Sequence, residues 1–310
     1  MAEKEKKSWF SFSFKKKLTK TEKKERSRAV RNTITIFTVI IVFVALTAGF
    51  IFFERFVKKS FNFGKEAIRL ELVNVPDWVS TDLEQKIVET ANKGGVKFIL
   101  SETTARQVGE NLQTLAWLYN TQVTVGREAI VVKADYRKPI ALINAEDSQF
   151  YIDSQSVVLD FVPVNKLAIV EITGVSTHLL TSRSVGTKWQ SDDATAAVEI
   201  IELLDKMDKQ VEPNKPLLAE IKSVDVSNFN GRRSTAQPHI VLYAKDGTEI
   251  RWGAQKGQWH KNLEARDEEK LAILYNTYKE FGTIQIRAAQ KGSFIDLTKS
   301  QHLSLPIDRY

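Results

Sequence analysis

The chain has 310 residues, no cysteine and a formal net charge of +7 at neutral pH. Residues 1–32 hold twelve of its 45 Lys and Arg residues and four of its 38 Asp and Glu residues, so this tail carries +8 and the remainder −1. A nucleic-acid-binding domain would carry its positive charge on a folded face, so this distribution argues against a nucleic-acid partner. The absence of cysteine excludes disulfides, thiolate metal sites and cysteine nucleophiles.

Residues 33–53 form an uncharged, mostly apolar run that predicts a transmembrane helix. At the α-helical rise the run spans about 31 Å, close to the hydrocarbon thickness of a bilayer. The basic residues before it predict that the N-terminus lies in the cytoplasm and the bulk of the chain outside the cytoplasmic membrane. A cleaved signal peptide is the alternative, because Thr47-Ala48-Gly49 offers small residues. The length of the apolar run favours an uncleaved, single-pass anchor.

The basic tail, residues 1–32, carries aromatic residues directly before a lysine cluster, a combination that suits the headgroup region of a membrane. We therefore predict that the tail contacts anionic lipid. A disordered tail with incidental aromatics is the alternative. The predicted membrane-surface residues are Trp9, Phe10, Phe12, Phe14, Lys15, Lys16 and Lys17.

After a tether at residues 54–66, residues 67–143 have the pattern of a compact β-α-α-β-β unit. Capping boxes at Thr81/Glu84 and Thr104/Gln107 predict the starts of its two helices. We expect a three-stranded sheet with both helices on one face. The predicted strands are 68–73, 123–125, and 129–136 resuming at 140–143.

Residues 144–305 predict a strand-rich second unit with two helices, and residues 306–310 a short tail. Its helices are predicted to begin at Ser191-Asp192-Asp193 and at Asp267-Glu268-Glu269, where acidic side chains put negative charge at the positive end of the helix dipole. Asp246-Gly247 predicts a hairpin turn, and Gly282 a helix C-cap. The fold class is therefore α+β. The predicted strands are 150–152, 157–159, 167–170, 221–226, 240–243, 284–286 and 294–297.

The sequence gives no pattern that predicts a catalytic, cofactor or metal site. The four histidines are not spaced as metal ligands, and no common hydrolase or phosphate-binding motif occurs. Trp252 and Trp259 remain candidates for a sugar-binding platform, and carboxylate pairs assemble in space rather than in sequence. A membrane-anchored peptidoglycan-binding module or wall hydrolase therefore stays open as the alternative to a non-enzymatic protein.

Several short motifs follow one another in an order that resembles the FtsQ/DivIB cell-division family. Trp117-Leu118 before Val123-Thr124-Val125 is similar to a family Trp-Val and valine strand, and 131–143 to its Glu-Arg-x-Pro-x-Ala strand. Tyr151–Leu159 is similar to its Leu-Asp-x-x-Gly-x-Val hairpin, and the stretch from Asp246-Gly247 to Phe294–Leu297 to its Asp-Gly … Ile-Asp-Leu-Arg ending. The resemblance covers roughly residues 30–305.

The chain also departs from the family pattern at several places. Tyr136 stands in place of the Glu, Ser156 in place of the Gly and Thr298 in place of the final Arg. Segments near 227–237 and 254–266 look longer or more polar than is typical of the family. These departures bear on loops and partner contacts more than on the fold.

The resemblance implies a POTRA domain at 67–143, a β domain at 144–305 and a non-enzymatic scaffold of the division machinery (divisome). It implies single-pass partners of the FtsB/FtsL type, other divisome components and a position at the division septum. A POTRA-type transport component is a further alternative, which predicts repeated POTRA units or a barrel.

The last predicted strand has only a short tail after it, so its unpaired main-chain groups form an edge to which a partner strand can add. The alternative is an edge that Lys299 and the polar tail protect. The predicted partner-binding residues are Phe294, Ile295, Asp296, Leu297, Thr298, Lys299, Ser300, Leu303 and Leu305.

Overall fold

A computed structural model describes residues 20–60, 69–146, 148–178, 180–286 and 294–300 of the chain. The structure divides into two compact units, residues 1–63 and 64–310. The predicted lipid-contacting residues 9–17 lie outside the described residues, as do Leu303, Leu305 and the tail 306–310.

The first unit contains one long helix, α1 (Lys20–Ser60). Its segment Ile34–Val57 is apolar and long enough to cross a membrane, and its side chains other than Val57 are exposed. This candidate span begins one residue after the predicted 33–53 and extends four residues further. A single helix of this kind near the N-terminus is compatible with single-pass membrane anchoring.

The second unit begins with a β-α-α-β-β arrangement, as the sequence predicts. A three-stranded sheet of order β1-β3-β2 has β1 parallel to β3 and β2 antiparallel to it. Buried side chains of both helices and of β3 share one core. The elements are β1 (Arg69–Val73), α2 (Thr81–Ala91), α3 (Glu102–Leu112), β2 (Leu118–Val125) and β3 (Ala129–Tyr136).

Both helices of this unit begin slightly earlier than their predicted capping boxes. Ser80 is the N-cap of α2, and its hydroxyl accepts a hydrogen bond from the Leu83 main-chain N–H at 3.2 Å. Ser101 caps α3 in the same way through the Thr104 N–H. In each case a serine hydroxyl satisfies an N–H that would have no partner in the first helical turn.

An eight-stranded sheet of order β11-β10-β9-β8-β7-β4-β5-β6 follows. Its strands and helices are β4 (Pro139–Ala145), β5 (Ser148–Asp153), β6 (Val158–Asp160), β7 (Val170–Thr173), α4 (Asp192–Val211), β8 (Ile221–Asp225), β9 (Ile240–Ala244), β10 (Glu249–Gly253), α5 (Asp267–Phe281) and β11 (Phe294–Asp296).

Three strand predictions differ from the structure. Residues 140–143, predicted to continue a strand of the first sheet, lie in β4 and pair with β5 and β7 of the larger sheet. Alternation shows which face of a strand is buried but not which strand is its neighbour, so the sequence assigned β4 to the wrong sheet. The strand predicted at 167–170 is β7 at 170–173, and residues 284–286 form no strand.

Helices α4 and α5 are joined through a buried carboxylate. Asp208 on α4 accepts hydrogen bonds from the Tyr275 hydroxyl on α5 at 2.8 Å and from the main-chain N–H groups of Leu217 and Leu218. Burial raises the pKa of the Asp208 carboxyl, while these three donors oppose that shift. Both helices bury their apolar stripes in the core of the larger sheet.

The two sheets share a core. Tyr151, Val157, Leu159 and Val162, from the β5–β6 region, belong to the same buried cluster as the side chains of α2 and α3. Asp160 at the end of β6 accepts a hydrogen bond from the Trp117 indole N–H at 3.2 Å and also pairs with Lys86 of α2. The small β-α-α-β-β arrangement therefore completes its interior with residues from the larger sheet.

We predict that the two sheets unfold in one transition. Leu159→Ala should lower the unfolding free energy by about 2–5 kcal/mol, because a fully buried leucine leaves a cavity in the shared core. Urea denaturation of residues 64–310 measures this, with Trp fluorescence and far-UV circular dichroism followed together. Val88→Ala on the exposed side of α2 is the control and should change little. Two separated transitions would contradict the prediction.

Candidate functional site: the β11 edge

The last described strand, β11, occupies one edge of the larger sheet. It runs parallel to β10, with Phe294 opposite Glu249 and Asp296 opposite Arg251. The Leu297 N–H donates to the Arg251 carbonyl at 3.0 Å, so the main-chain groups of Leu297 face β10. Alternate residues direct their main-chain groups to opposite sides, so those of Phe294 and Asp296 face outward.

The open part of this edge is short because its end is closed within the chain. The Asp296 carboxylate accepts from the Thr298 main-chain N–H at 3.0 Å and from the Thr298 hydroxyl at 2.6 Å. The Thr298 carbonyl accepts from the Ala265 N–H at 2.7 Å. Within the described part of the chain, the outward-facing main-chain groups of Phe294 and Asp296 have no hydrogen-bond partner, whereas those of Thr298 do.

The hydrogen bonds to Asp296 also affect its titration. Partial burial alone would raise the pKa of the carboxyl, but the two Thr298 donors and the charge of Lys299 outweigh it and hold the pKa below its usual value. The carboxylate therefore stays ionised at neutral pH and keeps the turn at Thr298 in place.

The opposite edge of the sheet, β6, is covered by another segment of the chain. The Val158 N–H donates to the Thr187 carbonyl at 3.0 Å, and the Gly186 N–H donates to the Val158 carbonyl at 2.8 Å. Val157 and Lys188 form an isolated antiparallel bridge. The β6 edge is therefore covered at Val158, and on β11 the outward main-chain groups of Phe294 and Asp296 have no partner among the described residues.

Aromatic and charged side chains lie beside the open edge. The Arg251 guanidinium lies over the Phe294 ring at 3.7 Å from its centroid and donates to the Glu249 carboxylate at 2.7 Å. Phe294 is 45% exposed, so its ring remains available to a partner despite this stacking.

A groove of about 710 Å³ adjoins the end of β11. Two loops form its walls, one between β8 and β9 and one between β10 and α5. Its lining residues are Thr235, Ala236, Gln237, Pro238, His239, Arg251, Asn262, Leu263, Glu264, Asp296, Thr298, Lys299 and Ser300.

The first loop is held by the side chain of Asn228, which is buried. Its amide nitrogen lies within 3.1 Å of the carbonyl oxygens of Ser234, Gln237 and Pro238, and its amide oxygen accepts from the N–H groups of Arg233 and Ser234. One side chain thus contacts five main-chain groups of the loop.

The second loop is held by a buried ion pair. The Glu264 carboxylate accepts from the Lys270 ammonium at 2.7 Å and from the Ala254 main-chain N–H at 2.8 Å. The Lys270 side chain is fully buried. Gly253 has φ +87°, and a Cβ there would collide with the Glu264 carboxylate, so only glycine allows this approach.

Leu263, in the same loop, is unusual in two respects. It adopts the left-handed conformation, with φ 55° and ψ 38°, and its side chain is 95% exposed. For a residue with a Cβ that conformation costs about 1–2 kcal/mol. Within the described residues no packing of the side chain offsets this cost.

The structure separates the other residues that the sequence singled out. Trp252 is fully buried while Trp259 is half-buried, so they do not form the exposed pair that a sugar platform needs. Asp193, at the start of α4, pairs with Arg232 at 2.8 Å. Among the described residues no group of three or more His, Cys, Asp or Glu side chains is arranged to hold a metal ion.

The sequence predicted the β11 edge but missed the groove beside it. The signal available was that segments 227–237 and 254–266 looked longer or more polar than typical of the family they resemble. Nothing in one sequence indicates that the loops containing these segments meet, whereas in the structure His239 Nδ1 of one loop and Asn262 Nδ2 of the other lie 3.4 Å apart.

The chain matches no protein-family model, and no curated protein matches it either.

We predict that breaking the buried ion pair on one side destabilises the protein strongly. Glu264→Ala should lower the unfolding free energy by about 3–5 kcal/mol, because Lys270 is then left as an unpaired buried charge. Chemical denaturation of residues 64–310 measures this. The matched control, Glu264→Gln with Lys270→Met, removes both charges and should recover most of the loss. Equal destabilisation in both variants would contradict the prediction.

Proposed function

We propose that the chain is a non-enzymatic scaffold of the bacterial cell-division machinery, of the FtsQ/DivIB type. In this proposal α1 anchors it in the inner membrane with the basic tail in the cytoplasm, and residues 64–310 fold outside. The β-α-α-β-β unit acts as a POTRA-like domain, and the larger sheet acts as the domain that holds a partner. Single-pass proteins of the FtsB/FtsL type are the expected partners.

The observation that carries the proposal is the open edge of β11, the last described strand. An added strand gains main-chain hydrogen bonds there, and the neighbouring side chains select which strand can add. The order of the described parts supports the same proposal, since a candidate membrane helix precedes the β-α-α-β-β unit and the sheet that ends in β11 follows it. Partners anchored in the same membrane would meet such an edge at high local concentration.

The first test is where the protein sits in dividing cells. A fluorescent fusion that complements depletion of the natural protein should form a ring at midcell, because the proposed partners assemble there. A reporter fused to the C-terminus should be active only outside the cytoplasm. A uniform envelope signal, or a cytoplasmic C-terminus, would contradict the proposal.

The second test concerns the edge itself. Asp296→Pro removes an outward-facing N–H without removing a bond to β10, so the strand is retained while an added strand loses one hydrogen bond and meets the proline ring. We expect capture of the FtsB/FtsL-like pair to weaken about tenfold or more. Co-purification of the tagged full-length chain, with the pair identified by mass spectrometry, measures this.

The matched control is Asp296→Ala, which also removes the carboxylate but keeps the N–H. It should capture the pair better than Asp296→Pro does. Equal capture by the two variants would show that the outward N–H takes no part in binding. Circular dichroism of both variants establishes that the sheet remains folded.

A further inference from the structure

The groove beside β11 begins where the open edge ends. A strand added to the outward groups of Phe294 and Asp296 cannot continue pairing at Thr298, because the Thr298 N–H and carbonyl already bond to Asp296 and Ala265. The added chain must leave the ladder at that point. Thr298, Lys299 and Ser300 line the groove, so the chain leaves the ladder directly at its opening.

Both walls of the groove are held in place before any partner arrives. Asn228 fixes one loop through its contacts to main-chain groups, and the Glu264–Lys270 ion pair fixes the other. A groove with fixed walls orders little on binding, so less of the interaction free energy is lost to entropy.

Among the lining residues of the groove, Leu263 is the exposed large apolar side chain. Its left-handed backbone and its 95% exposed side chain both cost free energy in the isolated chain. Its position at the groove wall allows a partner to cover it. An anchoring role would account for a leucine where asparagine or glycine would suit the backbone better.

The negative charges at the groove are paired within the chain, whereas positive charges beside it are exposed. The two carboxylates, Glu264 and Asp296, are occupied by Lys270, Ala254 and Thr298 of the chain itself. Lys299 is 81% exposed and lies 3.5 Å from Asp296, and Lys261, two residues before Leu263 on the loop between β10 and α5, is also exposed. The charge left to face a ligand is therefore positive and complements carboxylates.

We propose that this groove binds an acidic, extended segment of the partner, adjacent in the partner's chain to the strand that pairs with β11. Leu263 covers an apolar side chain of that segment, and Lys261 and Lys299 face its carboxylates. The inference rests on the proposed function, because it takes the partner of the β11 edge as its ligand.

The first experiment uses photo-crosslinking in cells. The full-length chain carries a photoreactive residue at Phe294, at Leu263 or at Lys299, and at Phe281 as an exposed position outside the groove. We expect positions 294, 263 and 299 to crosslink the same single-pass partner and position 281 not to. Mass spectrometry should place the 263 and 299 products on an acidic segment next to the one joined at 294.

Two outcomes would overturn the inference, and they are distinguishable. The groove proposal would be wrong, and the proposed function unaffected, if position 294 crosslinked the partner while positions 263 and 299 did not. The same conclusion would follow if the crosslinks from 263 and 299 mapped to residues 301–310 of the chain itself. If position 294 formed no crosslink to a division protein, both the groove proposal and the proposed function would be wrong.

The second experiment separates binding from stability. Leu263→Gly relieves the left-handed strain, so the melting temperature should stay the same or rise, while capture of the partner weakens about tenfold. Lys261→Glu with Lys299→Glu should also weaken capture of the partner. At higher salt concentration, the amount captured by this variant and by the wild type should become more similar, because salt screens the charges. Phe281→Ala is the control. Unchanged capture by Leu263→Gly and by the charge reversal would overturn the inference.

Discussion

The parallel pairing of β11 with β10 is the constraint on which the open edge and the groove beside it depend. A parallel neighbour cannot be reached through a tight turn, so the chain must first cross one face of the sheet. Helix α5 makes this crossover and buries Leu271, Leu274 and Tyr275 on the way. Tyr275 then joins α4 through Asp208. Because of this crossover, α5 packs on the sheet and β11 lies at the edge beyond β10.

An exposed edge is a hazard as well as a binding surface, and the chain limits that hazard. β11 has three residues, and the Asp296–Thr298 hydrogen bonds with the Ala265 contact end the open ladder after Asp296. Few strands can gain enough from so short an edge alone. In the proposed mode of binding, a partner that also fills the adjoining groove gains more than a strand that pairs with the edge alone.

The shared core lies at the other end of the larger sheet, beside β5 and β6. Leu159 and Tyr151 complete the interior beneath α2 and α3, and Asp160 ties Trp117 to the end of β6. The segment around Gly186 covers the β6 edge at the same end of the sheet. Hydrogen bonds within the chain thus cover the β6 edge at Val158, whereas the outward groups of Phe294 and Asp296 have no partner among the described residues.

The sequence alone determined the features that depend on local patterns. The apolar run within α1, the stripe of α4, the Asp246-Gly247 turn and the left-handed Gly282 after α5 are all where residue order predicts them, because hydropathy, periodicity and glycine conformations act over a few residues. The order of the β-α-α-β-β unit and the edge position of β11 followed from the same patterns. Only the tertiary structure decided that β4 belongs to the larger sheet, that Trp252 is buried and that two distant loops meet at a groove. These features depend on which segments pair across long separations, and a period of two or 3.6 residues specifies a buried face without specifying what covers it.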